Sequence, residues 1–406
     1  MTLALTRPSG TPWAHPETWW PSLTAATRAL DAPVGVLAVD ALAANAFDLL
    51  DRAAGMPIRV ASKSVRVRGV LDAVLKLPGY RGILAYTLAE ALWLAEDFED
   101  IVVGYPTADR GSLARLAANE KFASRVTIMI DDVAQLDLVD AVAAPGKRAV
   151  IRVALELDAS YRSRALGHVG VRRSPIFSPA DAGALAQAIV ARPGFRLVGM
   201  MAYEAQIAGV TNAGPRKTAI RAMQRASIRE LRNRRSEAVA RVRGIAELEF
   251  VNGGGTGSIE STRVDDSVTE VAAGSGLFGP HLFDHYWQFT PAPAASFALD
   301  VVRRPTDDIA TLLGGGWIAS GPPGPDRVPK VVWPQGLKMI AREGAGEVQT
   351  PLQGAAARDL KIGDRVWLRH TKAGEVSEHL NSFTLVEGGK HVGDIPTYRG
   401  EGKAFL

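Results

Sequence analysis

Short apolar runs alternate with amphipathic stretches through most of the first 290 or so residues. Runs at 58–62, 82–86, 100–105, 125–130, 148–157, 196–203, 247–251 and 268–273 are rich in Val, Ile, Leu and Ala and read as strands. The intervening stretches at 67–77, 88–96, 113–122, 133–142, 180–191 and 218–242 place apolar residues three and four apart and read as helices. Most of these strands are apolar without strict alternation, which suits a parallel sheet covered on its outer face. Eight strands in β–α alternation predict an α/β fold, a closed (β/α)8 TIM-like barrel. An open doubly wound sheet is the alternative, and the count of eight favours closure.

The ends of the chain have a different texture. Residues 1–32 are rich in Pro and Trp (Trp13, Trp19, Trp20) and read as an arm that packs on another part of the protein. A strand over 33–40 follows, then a helix from Ala41 to about Ala54 with Leu42, Phe47 and Leu50 at helical spacing. Beyond Asp284, short β-like runs at 297–302, 309–313, 331–333, 365–369 and 383–386 are broken by Gly and Pro. They predict a separate, mostly antiparallel β domain. The expected organisation is an N-terminal arm and strand over 1–40 that packs on the β domain, a barrel over 41–287 and a C-terminal β domain over 288–406.

Composition narrows the chemistry. The chain has no cysteine, which excludes disulfides, thiolate nucleophiles and Cys-based zinc sites and suits a reducing cytoplasm. Its 47 basic and 43 acidic residues are too balanced to predict a polyanionic partner. A basic stretch over 216–243 (Arg221, Arg225, Arg229, Arg232, Arg234, Arg235, Arg241, Arg243) lacks aromatic residues for base stacking. It reads as the solvated face of an outer helix, and no nucleic-acid partner is expected. Residues 1–16 lack the basic-then-apolar pattern of a signal peptide, and no apolar run is long enough to span a bilayer. A cytoplasmic protein with no membrane partner is expected.

Two stretches carry candidate chemistry. The first apolar run of the alternation stops at Lys63. An amine held among apolar neighbours loses hydration, which favours its neutral, nucleophilic form and imine chemistry with aldehydes. The bland reading is a strand-end lysine that snorkels to water. After the seventh strand comes Asn252-Gly253-Gly254-Gly255-Thr256-Gly257-Ser258. In a barrel, the loops after strands seven and eight commonly hold phosphate, and glycine lets backbone N–H groups approach an anion. A flexible turn is the alternative. His281 and His285 flank Asp284 with a spacing like that of a metal cluster, or else cap a junction between domains.

Taken together, Arg59-Val60-Ala61-Ser62-Lys63, Ala202-Tyr203-Glu204-Ala205-Gln206, Gly253-Gly254-Gly255-Thr256-Gly257, Thr269-Glu270 and the tail from Arg369-His370 to Arg399-Gly400 resemble the fold-type III pyridoxal-phosphate enzymes. These share the alanine racemase architecture. The chain is most similar to the D-threonine aldolase and D-serine dehydratase branch, the amino acid deaminase/aldolases, from about Pro33 to Leu406.

The resemblance implies pyridoxal 5'-phosphate held as a Schiff base on Lys63. It implies phosphate contacts from Asn252, Gly254, Gly255, Thr256 and Gly257, and Tyr203 beside the cofactor or substrate. His370 matches a histidine that in the family binds a divalent metal and serves in proton transfer. Here the spacing gives His370-Thr371-Lys372. A protonated lysine is a poor metal ligand, so no metal is expected. Lys372 then stands as a fixed cation facing the substrate hydroxyl, with His370 as the base at an unshifted pKa; Glu375, Glu378 and His379 lie close enough in sequence to orient it, with surface turn residues as the equal alternative. His168 takes the place of a family arginine, with Arg172 and Arg173 close by to contact cofactor or substrate carboxylate. Ser275, after the eighth strand, is expected to help hold phosphate.

The activity implied is cleavage of D-β-hydroxy-α-amino acids to glycine and an aldehyde. Dehydration to a 2-oxo acid and ammonia is the alternative, with racemisation or a non-catalytic cofactor-binding role ranked lower. A homodimer is expected by the same analogy.

Overall fold

The structure is a computed structural model that describes residues 3–322, 324–372 and 374–406. The chain divides into two compact units. One is built from Leu49–Lys63, Leu75–Gly274 and Phe405–Leu406; the other takes Ser64–Val74, Ser275–Ala404 and the N-terminal segment to Asp48. Among the described residues, no helix is long and apolar enough to cross a membrane.

Strand β1 (Val34–Ala38) belongs to the second unit. The first unit is a closed barrel of eight parallel strands. In chain order they are β2 (Ile58–Ala61), β3 (Tyr80–Ala85), β4 (Ile101–Val103), β5 (Val126–Ile130) and β6 (Ile151–Glu156). After a small hairpin of β7 (Tyr161–Ser163) and β8 (Gly167–Val169) come β9 (Phe195–Ala202), β10 (Phe250–Gly253) and β11 (Glu270–Ala273). Strand β11 pairs with β2 and closes the ring. The eight barrel strands are the eight apolar runs of the sequence.

Register shows which side chains face inward. Ala61 pairs with Leu84, Leu84 with Val102, Met129 with Ala154, Ala154 with Gly199, and Gly199 with Phe250. Val102, Met129, Ala154, Met201 and Phe250 pack into one buried cluster with Leu84 against it. Side chains alternate along a strand, so these positions define the interior layer. Below it lies a buried ionic network. The Arg59 guanidinium donates to Glu270 at 2.6 and 2.9 Å and to Asp100 at 2.9 and 3.2 Å. A buried charge survives only when paired in this way. Gly82, with φ +68°, passes so close that a Cβ there would lie 2.3 Å from Arg59.

The outer helices begin where side chains cap them: Thr87, Asp109, Asn119, Asp132 and Ser178 each accept a backbone N–H of the first turn. One expected helix, over 113–122, is instead two, Arg110–Ala117 and Glu120–Arg125. Asn119 ends the first and caps the second, because its side chain accepts the Phe122 N–H at 3.2 Å. The long basic helix runs Lys217–Arg243. It is not wholly a solvated face: Arg234 and Arg235 are buried. Arg234 donates to the backbone oxygens of Asp158 and Ser160 at 2.6 and 3.0 Å, fixing the turn after β6.

In the second unit, β1 sits between β12 (Ala295–Thr306), antiparallel, and β18 (Ser382–Glu387), parallel. The same sheet takes β13 (Ile309–Leu313), β14 (Lys330–Trp333), β15 (Lys338–Met339), β16 (Gln349–Gln353), β17 (Arg365–Arg369) and β19 (Lys390–Pro396). The N-terminal stretch, read as an arm, contains a helix over Pro16–Ala26. Its Trp20 ring lies 5.9 Å from that of Trp367, and Trp367 Nε1 donates to Thr24 at 2.8 Å.

Candidate active site

The rim of the barrel follows from the interior layer by counting two residues on. Ala61 leads to Lys63, Met129 to Asp131 and Ala154 to Glu156, while Tyr203 and Gly254 lie two residues beyond Met201 and Asn252, which pair in register with Glu156 and with each other. Chemistry-bearing residues of five strands therefore converge at the C-terminal end, where barrel enzymes carry their sites.

Lys63 lies in the single helical turn Ser62–Ser64 that ends β2. Ser62 fixes that turn by donating to the Leu84 carbonyl at 3.2 Å. The Lys63 amine donates to the Tyr105 hydroxyl at 2.8 Å. It lies 5.5 Å from the centre of the Tyr105 ring and 6.0 Å from that of Tyr203. The Arg173 guanidinium faces the same two rings, at 5.4 and 5.2 Å. Two phenols are thus held between two cations.

The electrostatics differ among the three acidic groups. Burial pushes the Tyr105 phenol up, but Lys63 and Arg173 pull it down, and the balance falls below the ordinary value. For Tyr203, burial outweighs the same two cations and the phenol is raised. Glu156 is buried, with 3% of its surface exposed. Burial raises its carboxyl to about 7, with Asp131 and Asp158 adding to the rise and Arg173 opposing it. Glu156 therefore exchanges its proton near neutral pH.

The glycine loop reaches the same place. A Cβ on Gly255 would come within 3.2 Å of the Tyr203 ring and 2.9 Å of Ala208 Cβ. Only a bare backbone passes there. The cradle differs from the expected one in its donors. The Gly254 N–H is taken by the Glu204 carboxylate at 3.0 Å, and the Gly255 N–H by the Ser258 hydroxyl at 3.1 Å. Glu204 is itself buried and held by Thr262 and Arg235. Among the described residues, the Gly257 N–H has no protein acceptor, and it remains available to an anion. The Thr256 carbonyl accepts from Arg52 at 2.6 Å. Asn252 pairs in register with Glu270 on the neighbouring strand, and its amide donates to that carboxylate at 2.9 Å.

Lys63, Tyr203, Arg173 and the loop 254–257 thus come together around Tyr105 and Glu156. The sequence reading missed those last two residues, although both stand where barrel strands β4 and β6 end and the rule that selected Lys63 applied equally to them. His168 lies on β8 opposite Arg162. Ser275 opens a short helix of the second unit.

His370 follows β17 in the second unit and is 1% exposed. Its ring packs edge-on against Phe278, 6.4 Å between centroids. The expected unshifted imidazole is not what the structure gives. Burial lowers it to about 3, helped by Arg369 and His281, so it is neutral at working pH. The acids and histidine expected to orient it are engaged elsewhere. Glu375 accepts the Thr371 and Lys372 backbone N–H groups, Glu378 pairs with Arg66 at 2.6 Å, and His379 stacks on Trp317 at 4.8 Å. His281 bonds the Val328 carbonyl at 3.0 Å, while Asp284 pairs with Arg369 at 2.9 Å. Among the described residues, no group of three or more His, Asp or Glu side chains could hold a metal ion.

Comparison with known proteins agrees with this geometry. The family described as "Alanine racemase, N-terminal domain" matches residues 37–281. No curated protein sequence matches the chain. Among solved structures, D-threonine aldolase from Filomicrobium marinum superposes with a TM-score of 0.76 at 18% identity, covering 93% of this chain and 96% of that one. D-threo-3-hydroxyaspartate dehydratase from Delftia sp. HT23 gives 0.72 at 20% identity, over 93% and 98%. Alanine racemase from Corynebacterium glutamicum gives 0.55 at 15% identity, over 85% and 92%. At such identities these likenesses establish the shared fold.

Proposed function

We propose that this chain, which belongs to the alanine racemase N-terminal domain family, is a pyridoxal 5'-phosphate enzyme that cleaves D-β-hydroxy-α-amino acids between Cα and Cβ, with Lys63 as the residue that carries the cofactor. The observation that supports it most is the amine of Lys63 at the barrel rim, 2.8 Å from the Tyr105 hydroxyl, with a glycine loop reaching the adjoining Tyr203.

The residues present fit the cofactor. Lys63 supplies the amine, Gly255 the close approach beside Tyr203 and Gly257 an unclaimed N–H for phosphate. The bound cofactor would supply an electron sink for charge developing at Cα. The chain's own residues do the rest. Tyr105 orients Lys63 and, with its phenol lowered, accepts a proton from Nζ or returns it. Glu156, near 7, holds or releases a proton at the same rim. Arg173 offers a planar donor pair to the substrate carboxylate. In this reading His370, held neutral by burial, is not the group that moves the proton.

Retro-aldol cleavage to glycine and an aldehyde is ranked first, because the likeness to a D-threonine aldolase covers nearly the whole chain. Dehydration to a 2-oxo acid and ammonia is the second reading, favoured by the equally extensive likeness to a dehydratase. Pairing as a homodimer belongs to the same proposal.

The test is a panel of D- and L-β-hydroxy amino acids, assayed separately for aldehyde and ammonia. Aldehyde from D-isomers supports the first reading and ammonia the second. Neither product from any of them contradicts both.

A further inference from the structure

We propose that the basic pocket adjoining the lysine site receives a second anionic group on the substrate, so that the preferred β-hydroxy amino acid carries an acidic side chain. This rests on the reading of Lys63 as the cofactor-bearing residue and adds the substrate class to it.

The pocket forms around the β7–β8 hairpin, which the chain inserts after β6. Its volume is about 750 Å3, and its lining includes Arg162, Arg164, His168, Arg172 and Arg173 with Asp158 as the one carboxylate. That carboxylate is already committed. It accepts from the Ser160 N–H at 2.8 Å and the Ser160 hydroxyl at 2.9 Å, and Arg162 lies 3.4 Å away. Arg162 itself lies flat on Phe177, 3.7 Å from the ring centre.

Arg164 and Arg172 are exposed, and among the described residues neither has an ion-pair partner. The Nε2 of His168 is shielded from solvent and has no hydrogen-bond partner among the described residues. Four guanidiniums lining one pocket with a single, occupied counter-charge repel one another and attract an anion.

A solvated basic hairpin is the bland alternative, and Arg173 decides against it. Its guanidinium lines this pocket and also faces the rings of Tyr105 and Tyr203 that flank Lys63. The pocket therefore continues from the place where the substrate's amino group would sit. With Arg173 on the α-carboxylate, Arg164 and Arg172 remain for a group farther along the side chain. Guanidinium matches the geometry of both carboxylate and phosphate, so either can be that group.

Two measurements test this. Calorimetric titration of the cofactor-free protein at low ionic strength uses succinate, inorganic phosphate and uncharged succinamide. We expect succinate or phosphate to bind, succinamide to give no signal, and the variant Arg164→Glu with Arg172→Glu to weaken the anion at least tenfold. If the variant weakens succinate alone, the group is a carboxylate; if it weakens phosphate alone, the group is a phosphate, since phosphate held at the glycine loop is equal in both proteins. Anion binding that is absent, or equal in the variant, overturns the proposal. If the double reversal does not fold, Arg164→Gln with Arg172→Gln is read in the same way.

Turnover then compares D-β-hydroxyaspartate with D-threonine. The ratio of their kcat/KM values should fall at least tenfold in the variant, and an unchanged ratio contradicts the proposal. Absence of any turnover counts against the function proposed for Lys63, while the titration still decides the pocket.

Discussion

Lys63 donates a 2.8 Å hydrogen bond to Tyr105, and the two residues come from the ends of barrel strands β2 and β4, which are separated by β3 in the sheet. Tyr105 thus reaches the amine over the end of the intervening strand. In the proposed function a phenol so placed orients Lys63 and exchanges a proton with it.

Replacing that phenol removes the hydrogen bond and keeps the ring. A hydrogen bond to a charged group is worth about 1.5–3 kcal/mol, so Tyr105→Phe should lower kcat/KM about tenfold to a hundredfold. Steady-state kinetics at saturating cofactor measure this. An unchanged value means that Tyr105 only fills space.

Glu156 gives a pH signature. Its carboxyl sits at about 7 in the folded protein against 4.5 as the ordinary value. A raised carboxyl favours folding most below its unfolded pKa, and that contribution is lost as pH rises through 7. Between pH 4.5 and 8 the cofactor-free protein should therefore lose stability on the order of 3 kcal/mol from this group alone. Glu156→Gln should remove that loss, and any inflection of kcat/KM near pH 7 should go with it. Denaturant melts of both proteins across this range are the check. Parallel curves contradict the account.

His370 makes the opposite prediction. Its imidazole is lowered to about 3 from an ordinary 6.5. A depressed histidine takes up its proton on unfolding, so stability falls as pH drops below 6.5, by roughly 2 kcal/mol at pH 5. His370→Leu should flatten this acid slope. It should leave the inflection of activity near pH 7 in place. If that inflection disappears instead, His370 is a working base after all.

Gly255 tests the cradle. A side chain there meets Tyr203 and Ala208 at 2.9–3.2 Å. Gly255→Val should therefore weaken cofactor binding at least tenfold, read as the cofactor concentration needed for half-maximal absorbance. It should leave the melting temperature of the cofactor-free protein within about 2–4 °C of the parent, the shift that about 1 kcal/mol produces in a unit of this size.

Much of this is legible in the sequence. The eight strands could be read because a covered parallel sheet needs continuous apolar runs, and Lys63 because a charge ends the first of them. Arg173 and the glycine loop also lie where the sequence pointed. What escaped depends on distant partners. Asn252 sits in the glycine motif, yet its amide is taken by Glu270, its partner on the neighbouring strand. The Gly254 N–H faces a buried carboxylate that the chain contributes 50 residues earlier. His370 stands in a polar-looking tail and is nonetheless fully packed, since strand burial is set by neighbours in the sheet. Glu156 looks like any strand-end acid, and its proton affinity rises only where burial strips its water, with Asp131 and Asp158 adding to the rise. The break at Asn119 was within reach, because Asn is a helix cap by composition alone.

The central claim is that the amine of Lys63 is the one that holds the cofactor. The direct measurement is hydride reduction of the protein saturated with pyridoxal 5'-phosphate, followed by peptide mapping. The account predicts one stoichiometric adduct on Lys63, and none in Lys63→Ala under the same conditions. An adduct on another lysine, or no adduct in a protein that binds the cofactor, contradicts it.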